Sequence, residues 1–389
     1  MDKKIGIFSF FTGAGFLDLG FEHSGYRTLF VNEFHKPFAD IYDSTRRDLN
    51  ISKPVYGNNV GSIEEYLNTL NLGFLRSNIK EARTTHDLIG FIGGPPCPDF
   101  SVAGKNRGQN GENGRLSGSY VKLINELNPD FFLFENVKGL YRTKKHKEFF
   151  EKLKLQLISN GYYLTEKLIN ALEFGAPQYR ERIILIGFKR NVLGSLGFKV
   201  NGSPIIQNFN WEANTKYDIK DVLSYDWPTT DKFIENSVRP KPINVPIELS
   251  VEYWFRKNSV ENHPNSGHFF TPRAGLVKFL EIPEGDDSKK SYKRLHRWRY
   301  SPTAAYGNNE VHLHPYKARR ISVAEALAIQ SLPKEYVIPE SISLSNMFKT
   351  VGNGVPYLVG LGLAQNIKDF IFNNPIKDLK QSYAKTNSK

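Results

Sequence analysis

Between residues 5 and 188 the chain alternates short, apolar, β-rich runs with stretches of helical periodicity, and this alternation constrains the fold more than any other feature. Candidate strands cover residues 5–11, 28–32, 88–93, 131–135, 163–170 and 182–188, with helical pattern over 16–24, 36–45, 119–127 and 146–160. Strand followed by helix, repeated, predicts an α/β fold built on a doubly wound, mostly parallel sheet. From about residue 191 to 318 proline, asparagine, tryptophan and basic residues become frequent and helical periodicity weakens. That change predicts a second, smaller domain rich in loops and short strands. Regular pattern returns at 320–330, where Ser322 and Glu325 have the spacing of a capping box, and a further helix is expected near Pro356. The expected division is 1–190 plus 345–389 for the first domain and 191–344 for the second with its hinge.

In such a sheet, ligands bind beyond the carboxyl ends of the strands, so the polar residues there carry the chemistry. The first strand runs into Phe11-Thr12-Gly13-Ala14-Gly15-Phe16, and Glu33 closes the second. A Gly-x-Gly turn followed by an acid at the next strand end signals a nucleoside cofactor, with an ordinary tight turn as the alternative. Asp18 stands where a dinucleotide fingerprint has its third glycine, which argues against a bound pyrophosphate and a nicotinamide oxidoreductase. Cys97, the only cysteine, follows Gly93-Gly94-Pro95-Pro96. A lone thiol forms neither a disulfide nor a thiolate metal cage, leaving packing or nucleophilic chemistry; two prolines that fix the backbone favour the nucleophile. Glu135 ends a nearly all-apolar strand and reads either as an ion-paired or capping acid or as a proton donor beside Cys97. Arg180 and Arg182, two apart on extended chain, point the same way. They form either a surface ladder around Glu181 or one wall of a cleft, where guanidinium groups would activate the thiol or orient a base.

A net charge of +12 and a pI near 9.4 predict a polyanionic partner, unless the charge serves solubility alone. In residues 291–300 cations and aromatics interleave, a mixture that can hold phosphates and stack on bases. Arg294, Arg297 and Arg299 are the candidate contacts there, with a solvated basic loop as the alternative. His312 and His314 lack companion ligands, so no metal is expected. No apolar run of membrane-spanning length and no signal peptide is present, which predicts a cytoplasmic protein with no membrane partner. A monomer is the preferred state.

Taken in order, these motifs resemble the DNA (cytosine-5)-methyltransferase family, in its bacterial modification type, over residues 11–355. Phe11-x-Gly13-x-Gly15 is similar to the family's cofactor loop, Glu33 to its ribose acid, and Gly94-Pro95-Pro96-Cys97 with Phe100-Ser101 to its nucleophile loop. Glu135-Asn136-Val137 resembles the base-binding acid motif and Gln178-x-Arg180-x-Arg182 the arginine motif. Arg320-Ile321-Ser322 with Glu325 resembles the motif that supports the recognition domain, and Gly352-Asn353-Gly354-Val355 the C-terminal motif that folds back onto the cofactor site. Three positions depart from the pattern: Pro98 replaces glutamine, Phe16 replaces a glycine, and no acid stands among Asn58-Asn59-Val60-Gly61-Ser62-Ile63, where an adenine contact is expected and Ser62 aligns best.

The resemblance implies S-adenosylmethionine as cofactor, bound by Phe11, Thr12, Gly13, Ala14, Gly15, Phe16, Glu33, Pro95, Asn353 and Val355. It implies double-stranded DNA as substrate, a target recognition role for the second domain, Ser101 among the DNA contacts, and a cognate restriction endonuclease acting on the same site. In the implied mechanism Cys97 adds to C6 of a cytosine rotated out of the duplex while Glu135 holds N3. The activated C5 then takes the methyl group, and Arg180, supported by Arg182, holds the base's carbonyl oxygen. The transfer-RNA branch of the family is disfavoured, because its Cys-Phe-Thr segment cannot occur in a chain with one cysteine. A catalytically silent DNA-binding homologue is opposed by the intact Cys97, Glu135 and Arg180.

Overall fold

A computed structural model describes residues 3–96, 112–198, 200, 203–272, 276–289, 291–304, 306 and 310–372. Its centre is a seven-stranded sheet made of β1 (Ile5–Phe10), β2 (Arg27–Glu33), β3 (Asn58–Val60), β4 (Leu88–Gly93), β5 (Phe131–Val137), β6 (Tyr162–Asn170) and β7 (Glu181–Lys189). The spatial order is β3-β2-β1-β4-β5-β7-β6. Every residue of β1 and β4 is buried, as continuous apolar runs in a sheet covered on both faces must be. Helices α1 (Phe16–His23), α2 (Lys36–Asp48), α3 (Thr69–Ala82), α4 (Glu112–Leu127) and α5 (Lys144–Ser159) supply the crossovers. The chain turns to opposite sides after β1, so the crevice beyond β1 and β4 is the topological switch point of the sheet. The Phe11–Phe16 loop and Gly94-Pro95-Pro96 both emerge there.

One feature of the sheet is absent from the sequence pattern. β7 lies between β5 and β6 and runs antiparallel to both. Its amino-terminal end therefore sits at the edge where the parallel strands have their carboxyl ends. The arginine motif at the start of β7 is thereby carried beside Glu135 at the end of β5.

α12 (Tyr357–Phe372) packs across α1. The two backbones nearly touch: a Cβ placed on Gly20 would lie 2.3 Å from the Leu361 amide nitrogen. A side chain at either Gly20 or Gly360 would force the helices apart. After α6 (Arg190–Ser195) the chain returns to the sheet, where the Leu164 amide donates to the Pro204 carbonyl and the Ile206 amide to the Leu164 carbonyl, each at 2.8 Å. Phe209 and Trp211 enter the same core as Phe188 and Phe370. Residues 204–211 thus pack with the sheet, although the composition change near 191 places them in the second domain.

The remaining elements are short: α7 (Ile219–Ser224), α8 (Val251–Lys257), α9 (Leu276–Glu281), α10 (Val323–Ile329) and α11 (Leu344–Asn353). α10 begins with the expected capping box between Ser322 and Glu325. One apolar cluster runs from Phe16, Leu19, Phe38 and Ile41 through Trp254 and Phe255 to Ile321, Leu327 and Met347. The loop-rich region is thereby seated directly on the first two helices. No helix among the described residues is long and apolar enough to cross a membrane.

Candidate active site

The cofactor loop owes its shape to two left-handed glycines, Gly13 at φ 59° and Gly15 at φ 76°, preceded by Phe11 at φ 55°. Such angles cost a glycine little and strain a phenylalanine. Beneath the loop, the Thr12 amide donates to the Asn32 carbonyl at 3.3 Å and the Gly13 amide to Glu33 Oε2 at 2.8 Å. The His35 amide donates to the other oxygen of Glu33 at 2.8 Å. Burial raises the Glu33 pKa, and these two backbone donors oppose that shift. An added Cβ on Gly13 would meet no heavy atom of the described residues within 4 Å, so among them the loop borders open space at that point. Phe16, where the family pattern has glycine, is buried and lies edge-on to the Tyr336 ring. It also fills the space left by Gly354, where a Cβ would come within 2.2 Å of the Phe16 ring. The C-terminal motif therefore meets the cofactor loop, with Val355 buried and Asn353 exposed beside it.

Glu135 lies at the end of β5, nearly buried, and its Oε1 accepts from Arg182 Nε at 2.8 Å. Arg182 pairs with Val137 in the antiparallel register, so it reaches Glu135 as a diagonal neighbour on the same face. Gly94 closes the other side: a Cβ there would lie 2.6 Å from Glu135 Oε2, so only glycine lets the Pro95-Pro96 segment pass this close to the carboxylate. Pro95 is buried. Cys97 and Ser101 lie outside the described residues.

The structure places the two arginines of the motif differently from the expectation that Arg180 holds the base with Arg182 in support. Arg180 is fully buried, and its Nη atoms donate to the carbonyls of Ala304 at 3.1 Å and Gly352 at 3.0 Å. Burial lowers its pKa, and Arg182 nearby lowers it further. Arg180 thus fastens the second region and the C-terminal motif to the sheet edge, while Arg182 touches Glu135. Two guanidiniums on one extended face point the same way, but only the outer one faces the cleft.

The expected DNA contacts need a firmer correction. Arg294 is 1% exposed, donates to the carbonyls of Ile282, His314, Lys317 and Phe279, and stacks on Phe233. Burial pulls its pKa down to about 10. Arg297 is 3% exposed and gives Glu284 two hydrogen bonds of 2.8 and 2.9 Å. Neither is available to DNA. A region with few ladders leaves many backbone carbonyls unpaired, and buried guanidiniums collect them. Arg299 alone of the three is part-exposed, over the Tyr300 ring. His314 is tied to Glu325 at 3.3 Å, and burial pushes the His312 pKa down to about 3. Among the described residues no group of three His, Cys, Asp or Glu side chains could hold a metal.

Two residues at the edge escape sequence reasoning. Phe34, directly after Glu33, leaves 73% of its surface exposed. An aromatic following a strand-end acid is the signal that could have found it. Lys349 on α11 lies near Glu33 and His35 and approaches the Phe38 ring, which only the fold reveals.

The family model for C-5 cytosine-specific DNA methylases matches residues 5–369. The chain is 57% identical over 372 residues to the type II methyltransferase M.NmeDI of Neisseria meningitidis serogroup C, covering 96% of this chain and 85% of that one. It is 27% identical to the type II methyltransferase M.FnuDI of Fusobacterium nucleatum, covering 93% of this chain and 94% of that one. The fold is shared with the methyltransferase EhMeth of Entamoeba histolytica, at a TM-score of 0.56 and 13% identity over 95% of this chain and 99% of that one. It is also shared with the Dnmt2 methyltransferase of S. pombe, at a TM-score of 0.56 and 14% identity over 95% of this chain and the whole of the other.

Proposed function

The chain belongs to the C-5 cytosine-specific DNA methylase family and is a DNA cytosine-5 methyltransferase, and we propose that it methylates a cytosine rotated out of duplex DNA, using S-adenosylmethionine, as the modification half of a type II restriction–modification pair. The observation that carries this reading is the Glu135–Arg182 pair held against Gly94, three residues before the sole cysteine.

The residues present fit the cofactor. Glu33 is aimed at the loop and takes ribose hydroxyls, Gly13 borders open space, and exposed Phe34 offers an adenine a stacking face. Phe11, Thr12, Ala14, Gly15, Phe16, Pro95, Asn353 and Val355 complete the surroundings. When bound, S-adenosylmethionine supplies an electrophilic methyl carbon. C5 of cytosine is too weak a nucleophile to take it unaided. Cys97 adds as thiolate to C6, Glu135 holds N3 and provides the proton that balances the addition, and the resulting enamine makes C5 electron-rich. Arg182 keeps the Glu135 carboxyl turned toward the base and offers its remaining donors to the base's carbonyl oxygen. After methyl transfer, loss of the C5 proton to water, expulsion of the Cys97 thiolate and return of the N3 proton to Glu135 restore the ring. C6 is unreachable within a stacked duplex, so the base leaves the stack at a cost of a few kcal/mol.

The test is incubation with methyl-labelled S-adenosylmethionine and, separately, mixed-sequence duplex DNA and bulk transfer RNA, with the modified nucleoside identified by mass spectrometry. Labelled 5-methylcytosine is expected in DNA and absent with Cys97→Ala, which should still bind duplex. Label in RNA alone would overturn the substrate, and transfer by Cys97→Ala at a tenth of the normal rate would remove Cys97 from the mechanism.

A further inference from the structure

The underside of the cofactor loop is held by a buried polar cluster that no motif contains. The Arg46 guanidinium on α2 lies 4.2 Å above the Tyr42 ring and is 1% exposed. Its Nε donates to Glu22 Oε2 at 3.0 Å, Nη1 to the Ala14 carbonyl at 3.3 Å, and Nη2 to the Gly15 carbonyl at 2.5 Å. Glu22 is itself fixed by the Thr28 hydroxyl at 2.8 Å and the Tyr42 hydroxyl at 3.2 Å. From the far end of the chain, the Tyr336 hydroxyl donates to the same Ala14 carbonyl at 2.7 Å.

This arrangement has a direction. Glu22 anchors one edge of the guanidinium, and the fork's other donors are spent on two consecutive carbonyls of the loop. A planar guanidinium can serve three acceptors in fixed geometry, whereas an ammonium cannot match that fork. Gly15 is shaped for it: a Cβ there would lie 2.7 Å from Arg46 Nη2 and 2.5 Å from the Tyr42 ring, so the glycine answers to this contact as well as to its left-handed φ. The amide of Gly13, between Thr12 and the clamped carbonyls, is the group that meets Glu33.

We propose that Arg46 and Tyr336 are positioning residues for the cofactor: by binding the Ala14 and Gly15 carbonyls from beneath, they hold the Gly13–Gly15 turn in the shape that presents Gly13 and Glu33 to S-adenosylmethionine. The proposal rests on the reading of this loop as the cofactor site. Tyr336 brings the loop-rich region into the arrangement, because its segment is stitched to Asn258 through the Leu332 carbonyl at 2.9 Å and to Asn265 through the Ile338 carbonyl at 2.8 Å.

The test compares the full-length protein with Tyr336→Phe, Arg46→Lys and Arg46→Ala by calorimetric binding of S-adenosylhomocysteine, alongside steady-state kinetics and thermal midpoints. Tyr336→Phe keeps the ring and removes one hydrogen bond, so about fivefold weaker binding is expected. Arg46→Lys should weaken it by about tenfold or more, since the ammonium serves Glu22 or the loop but not both. KM for S-adenosylmethionine should rise in step while kcat at saturation and KM for DNA stay within about twofold, the signature of lost uniform binding. Ethylguanidinium should restore binding to Arg46→Ala. If Tyr336→Phe and Arg46→Lys bind within about twofold of wild type, even with lowered midpoints, the clamp is structural only and the proposal falls. If wild type itself binds no S-adenosylhomocysteine, the cofactor reading falls with it.

Discussion

The carboxyl edge of the sheet and the loop-rich region both bury charge, and they treat it differently. In the loop-rich region each buried charge is answered: Arg297 and Arg239 close on Glu284, Arg319 and His314 on Glu325, and Arg294 on four carbonyls. At the sheet edge the matching is thinner: Asp18 is fully buried with only the Ser9 hydroxyl nearby and no well-formed hydrogen bond to either oxygen among the described residues, and Arg180, tied to carbonyls through its Nη atoms, leaves its Nε unanswered there. Charges that hold a fold need complete partners, because an orphaned buried ion is costly. Where a buried charge lacks a full set of partners, its protonation rather than its pairing absorbs the cost of burial.

The largest test of that contrast lies in the loop-rich region. Arg297→Ala leaves buried Glu284 with Arg239 and the backbone amide of residue 297 but without its facing guanidinium, and a stability loss of about 3–5 kcal/mol is expected by urea denaturation. A loss under about 1 kcal/mol would place Arg297 in solvent, where DNA could reach it. Next comes Glu135→Gln, predicted to lower single-turnover methylation about a hundredfold while leaving the unfolding midpoint nearly unchanged. A variant that instead unfolds early would make Glu135 a structural partner of Arg182.

Asp18 sharpens the comparison through pH. Burial raises its pKa from 3.8 to about 7, so between those values the native protein keeps a proton that the unfolded chain has released. Stability attributable to this group therefore falls as pH rises through that window and levels off above it. Asp18→Asn should be more stable than wild type at pH 8 by about 4 kcal/mol and nearly equal to it at pH 4. The reverse trend would mean that the carboxylate is matched after all. The smallest effect is expected of part-exposed Arg299: Arg299→Ala should weaken duplex binding about threefold and flatten its salt dependence by one phosphate's worth, with stability unchanged.

Much of the sheet was legible. Its all-apolar strands are unmistakable in β1, β4 and β5, and Ser322 with Glu325 marked the start of α10 by local chemistry alone. The positions of Glu33 and Glu135 at the sheet's carboxyl edge were readable because each acid closes an apolar run, although an ion-paired or capping acid has the same pattern. The antiparallel insertion of β7 was not, since a strand's direction is decided by tertiary pairing rather than by its own periodicity. That is also why the pattern cannot tell that Arg182, rather than Arg180, lies against Glu135. The basic segment misled for another reason. Interleaved arginine and aromatic residues look alike whether they stack on bases or, as Arg294 over Phe233 and Arg297 over Tyr316, on one another. Arg46 went unnoticed because its value lies in two carbonyls thirty residues away.

The crossing of α12 over α1 has a consequence for how the enzyme is made. Leu17 and Phe21 on α1 share a core with Val359, Leu363 and Ile367 on α12. Synthesis at about 5–20 residues per second separates these two helices by tens of seconds. Throughout that interval the face of α1 that α12 covers lacks its partner. The cofactor loop that leads into α1 therefore gains its full support only once α12 has been made and has docked on that helix.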